Sequence, residues 1–245
     1  MSIEAYNAAA LARDNGILVL FMASAILVAM VWRYGHRLQA DRLAFDVQLS
    51  ARWLLLGAVL IRVVMLLRSD LWYDETFTAA VAGVQWSHLP TVILGDVHPP
   101  LAYLPTWIST RLIGSSEIAL RLPSLVFGGL SIYLVYRVAL EMIGTQSTAL
   151  LAAWLLAFMP AHIHYSVEAR GYTLLLCAVL WAILAILKER RWEYTAACWL
   201  LPLIHTHGFF YLAALGVCAV VYHGLTERWI AAVIRSGLVG LGWLP

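Results

Sequence analysis

Apolar runs long enough to form helices follow one another along almost the whole chain, separated by short polar segments. Hydrophobic residues make up 62% of the 245 residues and charged residues only 12%, whereas an average soluble domain is about a quarter charged. One core cannot bury so much apolar surface, so lipid must solvate much of it. The sequence therefore predicts an all-α, polytopic membrane helix bundle. The expected spans are Ile17–Trp32, Trp53–Leu67, Pro123–Leu140, Ser147–Met159, Tyr172–Leu187, Thr195–Ile204, Phe209–Tyr222 and a last span that begins at Trp229.

The distribution of lysine and arginine predicts which loops face the cytoplasm. The basic loop 33–52 and the later basic cluster 188–191 both fall on that side only if the segment 72–117 does not cross the membrane. We therefore interpret residues 72–117 as one long outer loop with interfacial helices between the second and third spans.

Two regions follow from this pattern. Residues 1–50 are expected to form an N-terminal anchor span with a basic cytoplasmic loop, and residues 51–245 a membrane core. The stretch before the first span carries Glu4, Arg13 and Asp14, which is not typical of a cleaved signal peptide. The sequence ends inside the apolar run 240–245, so we expect the core to be truncated there.

Adjacent carboxylates, Asp74 and Glu75, follow the second span. A partly shielded carboxylate at a membrane surface can serve as a general base toward a hydroxyl or an amine. Its neighbour can orient the base or bind a cation. Alternatively, both carboxylates only stabilise the positive end of an interfacial helix.

His98 precedes the pair Pro99-Pro100, which favours an extended turn followed by a helix start. A histidine at that position would lie near the positive end of the helix and could bind an anion. The alternative is an ordinary helix entry with an exposed histidine.

Three further polar groups fall in or next to loops of the same predicted face. Arg170, close to Glu168, suits a phosphate because a guanidinium makes bidentate contacts, although a local Glu–Arg pair could equally cap the next helix. His205 and His207 could bind phosphate or line a polar turn, and their spacing argues against zinc. Arg121 precedes a proline-started span and could be either a ligand or a charged boundary.

The order of the motifs resembles that of the GT-C membrane glycosyltransferases, specifically the dolichyl-phosphate-mannose–protein mannosyltransferase-like group (glycosyltransferase family 39) and the related aminoarabinose transferases. The resemblance covers residues 54–245; each motif is loose, and the ordered set is what makes it specific. The motifs are Trp72-Tyr-Asp-Glu75, Asp96-Val-His-Pro-Pro-Leu101, Glu117-Ile-Ala-Leu-Arg-Leu-Pro-Ser124, Tyr165-Ser-Val-Glu-Ala-Arg-Gly-Tyr-Thr-Leu174 and Thr206-His-Gly-Phe-Phe210.

The resemblance implies transfer of a sugar from a polyprenyl-phosphate donor to an acceptor on the outer face. It maps the base onto Asp74, with Glu75 beside it. A phosphate leaving group needs positive charge and hydrogen-bond donors rather than an acid, so one base suffices for an inverting displacement. The expected substrate-binding residues are His98, Arg121, Glu168, Arg170, His205 and His207.

The chain also departs from the family pattern. An extra span precedes the usual first one, and Ala102-Tyr103-Leu104 stands where protein mannosyltransferases carry a lysine after His-Pro-Pro. The transferred group, hexosyl or pentosyl, and the acceptor, lipid, glycan or protein, therefore stay open. So does the use of a divalent cation, for which no ligands are assigned. The net charge of +2 is small and says nothing about nucleic acid, and no nucleic-acid partner is expected.

The predicted protein is a multi-pass glycosyltransferase of the plasma (inner) membrane with its active face outward. A transporter or flippase for an anionic lipid-linked substrate is the alternative, with Arg170 and His98 as carriers, and a non-catalytic anchor or assembly subunit is a third reading. A transporter would place polar residues near the bilayer midplane. Here they cluster at one predicted surface, which favours an enzyme.

Overall fold

The computed structural model describes residues 47–68, 71–96 and 98–241, and every regular element in these ranges is helical. The all-α prediction is therefore confirmed for the described part of the chain. The predicted span 17–32 and most of the loop after it lie outside the described residues. In chain order, the α-helices are α1 (Val47–Arg68), α2 (Tyr73–Gly83), α3 (Leu89–Leu94), α4 (Leu104–Ile113), α5 (Glu117–Ile143), α6 (Gln146–Ala157), α7 (Pro160–Ser166), α8 (Tyr172–Leu187), α9 (Arg191–Ile204), α10 (Gly208–His223) and α11 (Glu227–Leu241).

The segment between α1 and α5 folds as predicted, into short helices instead of one long helix. The longest of them, α2, has 11 residues and would be only about 16 Å long, against about 30 Å for the hydrocarbon core of a bilayer. A 3-10 turn at Pro100–Ala102 connects α3 to α4. The position of these helices at a membrane surface remains a prediction.

The helix α5 begins six residues before the predicted span, at Glu117, and contains Pro123 in its interior. The hydroxyl of Ser116 accepts a hydrogen bond from Ala119 N and caps the N-terminus of α5. Proline has no N–H, so the carbonyl of Ala119 loses its helical partner. Ser109 of α4 replaces that partner, with its Oγ donating to Ala119 O at 2.7 Å. The proline is thus tolerated because a neighbouring helix satisfies the freed carbonyl.

One described helix, α5, is by itself long and apolar enough to cross a membrane. The pair α6 and α7 would make a second crossing as a span broken by a 66° bend, while α8 and α10 are apolar but shorter. A multi-pass arrangement is therefore only partly visible in the helix lengths and stays a prediction for the whole chain.

The main apolar core is formed by α8, α9, α10 and α11, and α5 packs along α8. A second cluster joins α1 to α6. Arg62 of α1 is buried there, and its Nη2 contacts polar groups at the bend between α6 and α7. Its guanidinium donates to Ala157 O at 3.0 Å and contacts His162 Nδ1 at 2.7 Å. This buried cation therefore ties α1 to the bend that precedes the segment 167–171.

Candidate active site

The first turn of α2 carries both predicted catalytic carboxylates, and they face different partners. Consecutive residues of a helix lie about 100° apart around its axis. Glu75 is buried, with 1% of its surface exposed, whereas the side chain of Asp74 is 25% exposed. Acidic residues in a first turn also suit the helix dipole, so the local structure favours both.

Glu75 forms a bidentate ion pair with Arg121 of α5. Arg121 Nε donates to Glu75 Oε1 at 2.8 Å, and Nη2 donates to Oε2 at 2.7 Å. Ala169 N donates to Glu75 Oε1 at 2.7 Å, so one carboxylate joins three segments of the chain. We refer to Glu75, Arg121 and Ala169 as the Glu75 clasp.

The clasp fixes the backbone next to Arg170. On one side, the N–H of Ala169 is bound by Glu75. On the other side, Ser124 Oγ donates to the carbonyl of Arg170 at 2.9 Å. A Cβ at Gly171 would lie 3.3 Å from Ile204 and 3.5 Å from Ala102, so a glycine there allows the backbone to pack closely. Arg170 thus projects from a short segment held on both sides.

The side chain of Arg170 meets Asp74 and His98 in a partly buried cluster. Its Nη2 lies 3.7 Å from Asp74 Oδ2 and 2.9 Å from His98 Nε2. The guanidinium carbon is 6.0 Å from the centre of the Tyr172 ring. Burial lowers the pKa of Arg170, but Tyr172 and Asp74 oppose it and the net shift is upward. Arg170 is therefore a fixed positive charge at this site.

Two histidines extend the cluster toward α9 and α10. The ring of His205 lies 5.9 Å from that of His98 and stacks on His207, with centroids 4.7 Å apart. His207 N donates to His205 Nδ1 at 3.1 Å. Burial, together with the nearby His207, His98 and Arg170, lowers the pKa of His205 to about 3. His205 is thus uncharged at neutral pH. We call Asp74, His98, Arg170, His205 and His207 the Arg170 cluster.

A small cavity of about 10 Å³ opens within the Arg170 cluster, which is room for about one water molecule. Its polar lining includes His98, Arg170 and His205, and Thr78 and Tyr103 close its sides. The structure thus places a guanidinium and two imidazoles around one narrow space, with the carboxylate of Asp74 3.7 Å from that guanidinium. Such a space could hold part of a phosphate group once the side chains adjust to it.

The predicted site residues therefore divide into two neighbouring groups. His98, Arg170 and His205 line the cavity, with Asp74 and His207 next to them, while Glu75 and Arg121 are engaged with each other. Glu168 belongs to neither group: it is buried, and its Oε2 lies 3.2 Å from His164 Nε2.

Three residues near the cavity were absent from the predicted set, namely Asp96, Tyr103 and Tyr172. Tyr103 donates a short hydrogen bond to Asp96, which also accepts from His98 N at 3.3 Å. Asp96 stands two residues before His98 in the same motif, so its proximity could have been inferred. The position of Tyr103 could not, because it depends on the 3-10 turn at Pro100–Ala102.

Within the described ranges, no group of three or more histidine, cysteine, aspartate or glutamate side chains is arranged to hold a metal ion. The residues of the Arg170 cluster suit an anion, because the guanidinium of Arg170 supplies N–H donors and His205, whose Nδ1 accepts from His207 N, carries its own N–H on Nε2. Asp74 supplies the acceptor. This combination fits a reaction in which a phosphate departs while a hydroxyl loses its proton.

Comparisons with known proteins agree with the motif pattern. Residues 97–243 match the family model described as dolichyl-phosphate-mannose-protein mannosyltransferase. This range includes His98, Arg121, Arg170 and His207, and it excludes Asp74 and Glu75. No curated protein and no solved structure matches the chain. Because the family model covers more than half of the sequence, the chain belongs to the dolichyl-phosphate-mannose-protein mannosyltransferase family and is a GT-C glycosyltransferase-like membrane protein.

Proposed function

We propose that the protein transfers a hexosyl or pentosyl group from a polyprenyl phosphate to an acceptor, with inversion at the anomeric carbon. It would act as a multi-pass protein of the plasma (inner) membrane, with the Arg170 cluster on the outer face. One observation carries the proposal: a partly exposed carboxylate, Asp74, lies beside a buried guanidinium, Arg170. A base and a phosphate ligand are the two groups that this reaction requires.

In the proposed reaction, the acceptor hydroxyl gives its proton to Asp74 as its oxygen forms a bond to the anomeric carbon. The bond between that carbon and the phosphate oxygen breaks, and its electron pair stays on the phosphate. The products are the glycosylated acceptor and the free polyprenyl phosphate. Attack opposite the leaving group inverts the anomeric carbon. A general base of this kind contributes about 10²- to 10⁴-fold in rate.

Arg170 would stabilise the phosphate as its negative charge develops. Its side chain is only 9% exposed, and a charge in such a place is less weakened by water than one at the surface. The planar guanidinium can also offer two parallel N–H groups to two phosphate oxygens. On donor binding, the phosphate would compete with Asp74 for Arg170 and leave the carboxylate available as the base.

Glu75 and Arg121 take a different part in this proposal from the one that the resemblance implies. All of their mutual contacts are short, and Arg121 is 1% exposed. We assign the Glu75 clasp to positioning, because it holds α2, with Asp74, against the segment that carries Arg170. Neither residue needs to touch the substrate in this account.

The test uses the full-length protein in liposomes that contain extracted polyprenyl-phosphate sugars and a membrane extract as the source of acceptor. Mass spectrometry follows donor loss and free polyprenyl phosphate for the wild type, for Asp74→Asn, and for Glu227→Gln as a matched control at an exposed position. The wild type and the control should consume donor at similar rates. Asp74→Asn should be slower by about 10²- to 10⁴-fold.

Two results would count against the proposal in different ways. Equal donor consumption by the wild type and Asp74→Asn would keep the transferase and remove Asp74 as its base. An absence of donor consumption by well-folded wild type would reject lipid-linked transfer itself. The anomeric configuration of the product, read by NMR against that of the donor, separately tests inversion.

A further inference from the structure

We propose that Tyr103 and Asp96 hold His98 as a neutral imidazole whose Nε2 accepts a hydrogen bond from Arg170, which makes His98 a positioning residue for that arginine. From the residues alone, His98 could be an anion ligand or an exposed histidine at an ordinary helix entry, and the resemblance placed it on the phosphate side. The inference rests on the proposed function for what Arg170 binds. The protonation state of His98 follows from the contacts of its ring alone and does not depend on any reaction.

The contact between Arg170 and His98 fixes the state of one ring nitrogen. A guanidinium has N–H groups and nothing that can accept a hydrogen bond. Arg170 Nη2 lies 2.9 Å from His98 Nε2, so Nε2 must offer its lone pair. A doubly protonated imidazolium would place two donors against each other at this distance. His98 is therefore neutral, with its single proton on Nδ1.

The surroundings of His98 Nδ1 agree with a proton on that nitrogen. His98 Nδ1 lies 3.3 Å from Asp96 Oδ2, and an ionised carboxylate can only accept. Tyr103 donates to the same Oδ2, and its ring packs edge-on against His98 at 6.2 Å. Asp96 thus lies beside the protonated nitrogen, at a distance short enough for charge attraction but without hydrogen-bond geometry, and it is held there by hydrogen bonds from Tyr103 and from His98 N. The result is a chain from Tyr103 through Asp96 and His98 to Arg170.

The charged surroundings favour the neutral ring. Burial lowers the pKa of His98, and Arg170 lowers it further, while Asp96 and the more distant Asp74 oppose them. His205 is the other titratable ring nearby, at 5.9 Å. The net direction is downward. A negative partner at Nδ1 thus orients the ring without converting it to a cation.

This arrangement fixes the orientation of the guanidinium of Arg170. One of its N–H groups is committed to His98, which fixes the plane of the group, and a bound phosphate would compete with Tyr172 and Asp74 for the others. A cationic His98 would instead repel Arg170. We expect the neutral acceptor to matter for the alignment of Arg170 in the transition state more than for attraction of the donor.

Two substitutions of His98 separate a neutral acceptor from a cationic ligand. His98→Gln keeps an acceptor oxygen near the place of Nε2, and its kcat should fall by no more than about threefold, well below the effect of losing a charged hydrogen bond. His98→Lys offers only donors, and its kcat should fall by about 10- to 100-fold with a smaller change in KM, because a hydrogen bond to a charged group is lost. The opposite order, with lysine active and a raised KM in glutamine, would overturn the proposal.

The protonation state of the His98 ring can also be measured without an activity assay. In the full chain labelled with ¹⁵N-histidine, the signals that disappear in His98→Gln, or in His98→Asn if the first variant misfolds, belong to His98. Near pH 7.5 they should show a protonated Nδ1 and an unprotonated Nε2. A protonated Nε2 would overturn the inference. The expected spectrum from a protein that transfers no sugar would support the inference while rejecting the proposed function.

Discussion

Asp74 and Glu75 are neighbours in the first turn of α2, yet each faces a different arginine. Glu75 and Arg121 make two hydrogen bonds of 2.7 and 2.8 Å in a place where neither is exposed. Asp74 and Arg170 approach only to 3.7 Å, next to a cavity. One pair is a tight ion pair enclosed by the protein, and the other is a longer contact beside a cavity.

The difference shows why adjacent carboxylates need not share a role. A buried, unpaired carboxylate is costly, so Glu75 is stable only with Arg121 and the backbone N–H of Ala169. A catalytic base must instead exchange a proton with a ligand, which the partial exposure of Asp74 allows. Substitutions of Asp74 or Arg170 should therefore affect the reaction more than stability, whereas substitutions in the Glu75 clasp should affect stability first.

The largest expected effect on stability comes from Arg121→Leu. It would leave Glu75 buried without its partner and lower the free energy of unfolding by about 3–5 kcal/mol. Thermal unfolding in detergent measures the loss. The double variant Arg121→Leu with Glu75→Leu should regain a large part of it, because no lone charge remains. A double variant as unstable as the single one would show that the ion pair does not form.

A smaller loss should follow from Ser109→Ala beside the clasp. The carbonyl of Ala119, freed by Pro123, would lose the Ser109 hydroxyl that satisfies it, at a cost of about 1–3 kcal/mol. Ser115→Ala, at an exposed position of the loop that follows α4, is the matched control and should leave the unfolding temperature unchanged. Equal unfolding temperatures in the two variants would contradict the account of α5.

Arg170→Lys tests the pair formed by Asp74 and Arg170. Lysine keeps the charge but cannot make two parallel hydrogen bonds, so the Kd for farnesyl phosphate, a short polyprenyl phosphate, should rise by about tenfold, the equivalent of about one lost hydrogen bond. The exposed substitution Arg190→Lys should leave that Kd unaltered. An unchanged Kd in Arg170→Lys would remove Arg170 from the phosphate site.

The last effect is measured along the pH axis and concerns acid sensitivity, which should reside in the Arg170 cluster. His205 titrates near 6.5 when unfolded and at about 3 when folded, so the unfolded chain binds the proton first as the pH falls. Stability present above pH 6.5 is then lost between about pH 6.5 and 3, by up to about 1.4 kcal/mol per pH unit. Tyr172, His98, His207 and Arg170 are the titratable or charged groups around this ring.

His205→Asn keeps an acceptor near Nδ1 and removes the titration. Its unfolding temperature should therefore fall less than that of the wild type between pH 6.5 and 4. His88→Asn, at an exposed position, serves as the control and should follow the wild type. A curve for His205→Asn that is identical to that of the wild type would place the acid sensitivity elsewhere.

The sequence predicted the helical class, the short helices of residues 72–117 and the exact bounds of α8, because apolar runs and proline positions act locally. It did not predict that α5 begins at Glu117, since Pro123 is tolerated only through a hydroxyl from α4. It also could not show which arginine meets which carboxylate. That pairing depends on the rotation of α2, and one residue along a helix changes the facing direction by about 100°.

The most direct test of the central claim compares Asp74→Asn with Glu75→Gln in one experiment, with donor consumption normalised to folded protein and the unfolding temperature measured on the same samples. Asp74→Asn should unfold near the wild-type temperature and lose about 10²- to 10⁴-fold in rate. Glu75→Gln should unfold at a clearly lower temperature and, per folded molecule, stay within about tenfold of the wild-type rate, well short of the loss of a general base. A Glu75→Gln protein that is stable but inactive, beside an active Asp74→Asn, would contradict the assignment of Asp74 as the base.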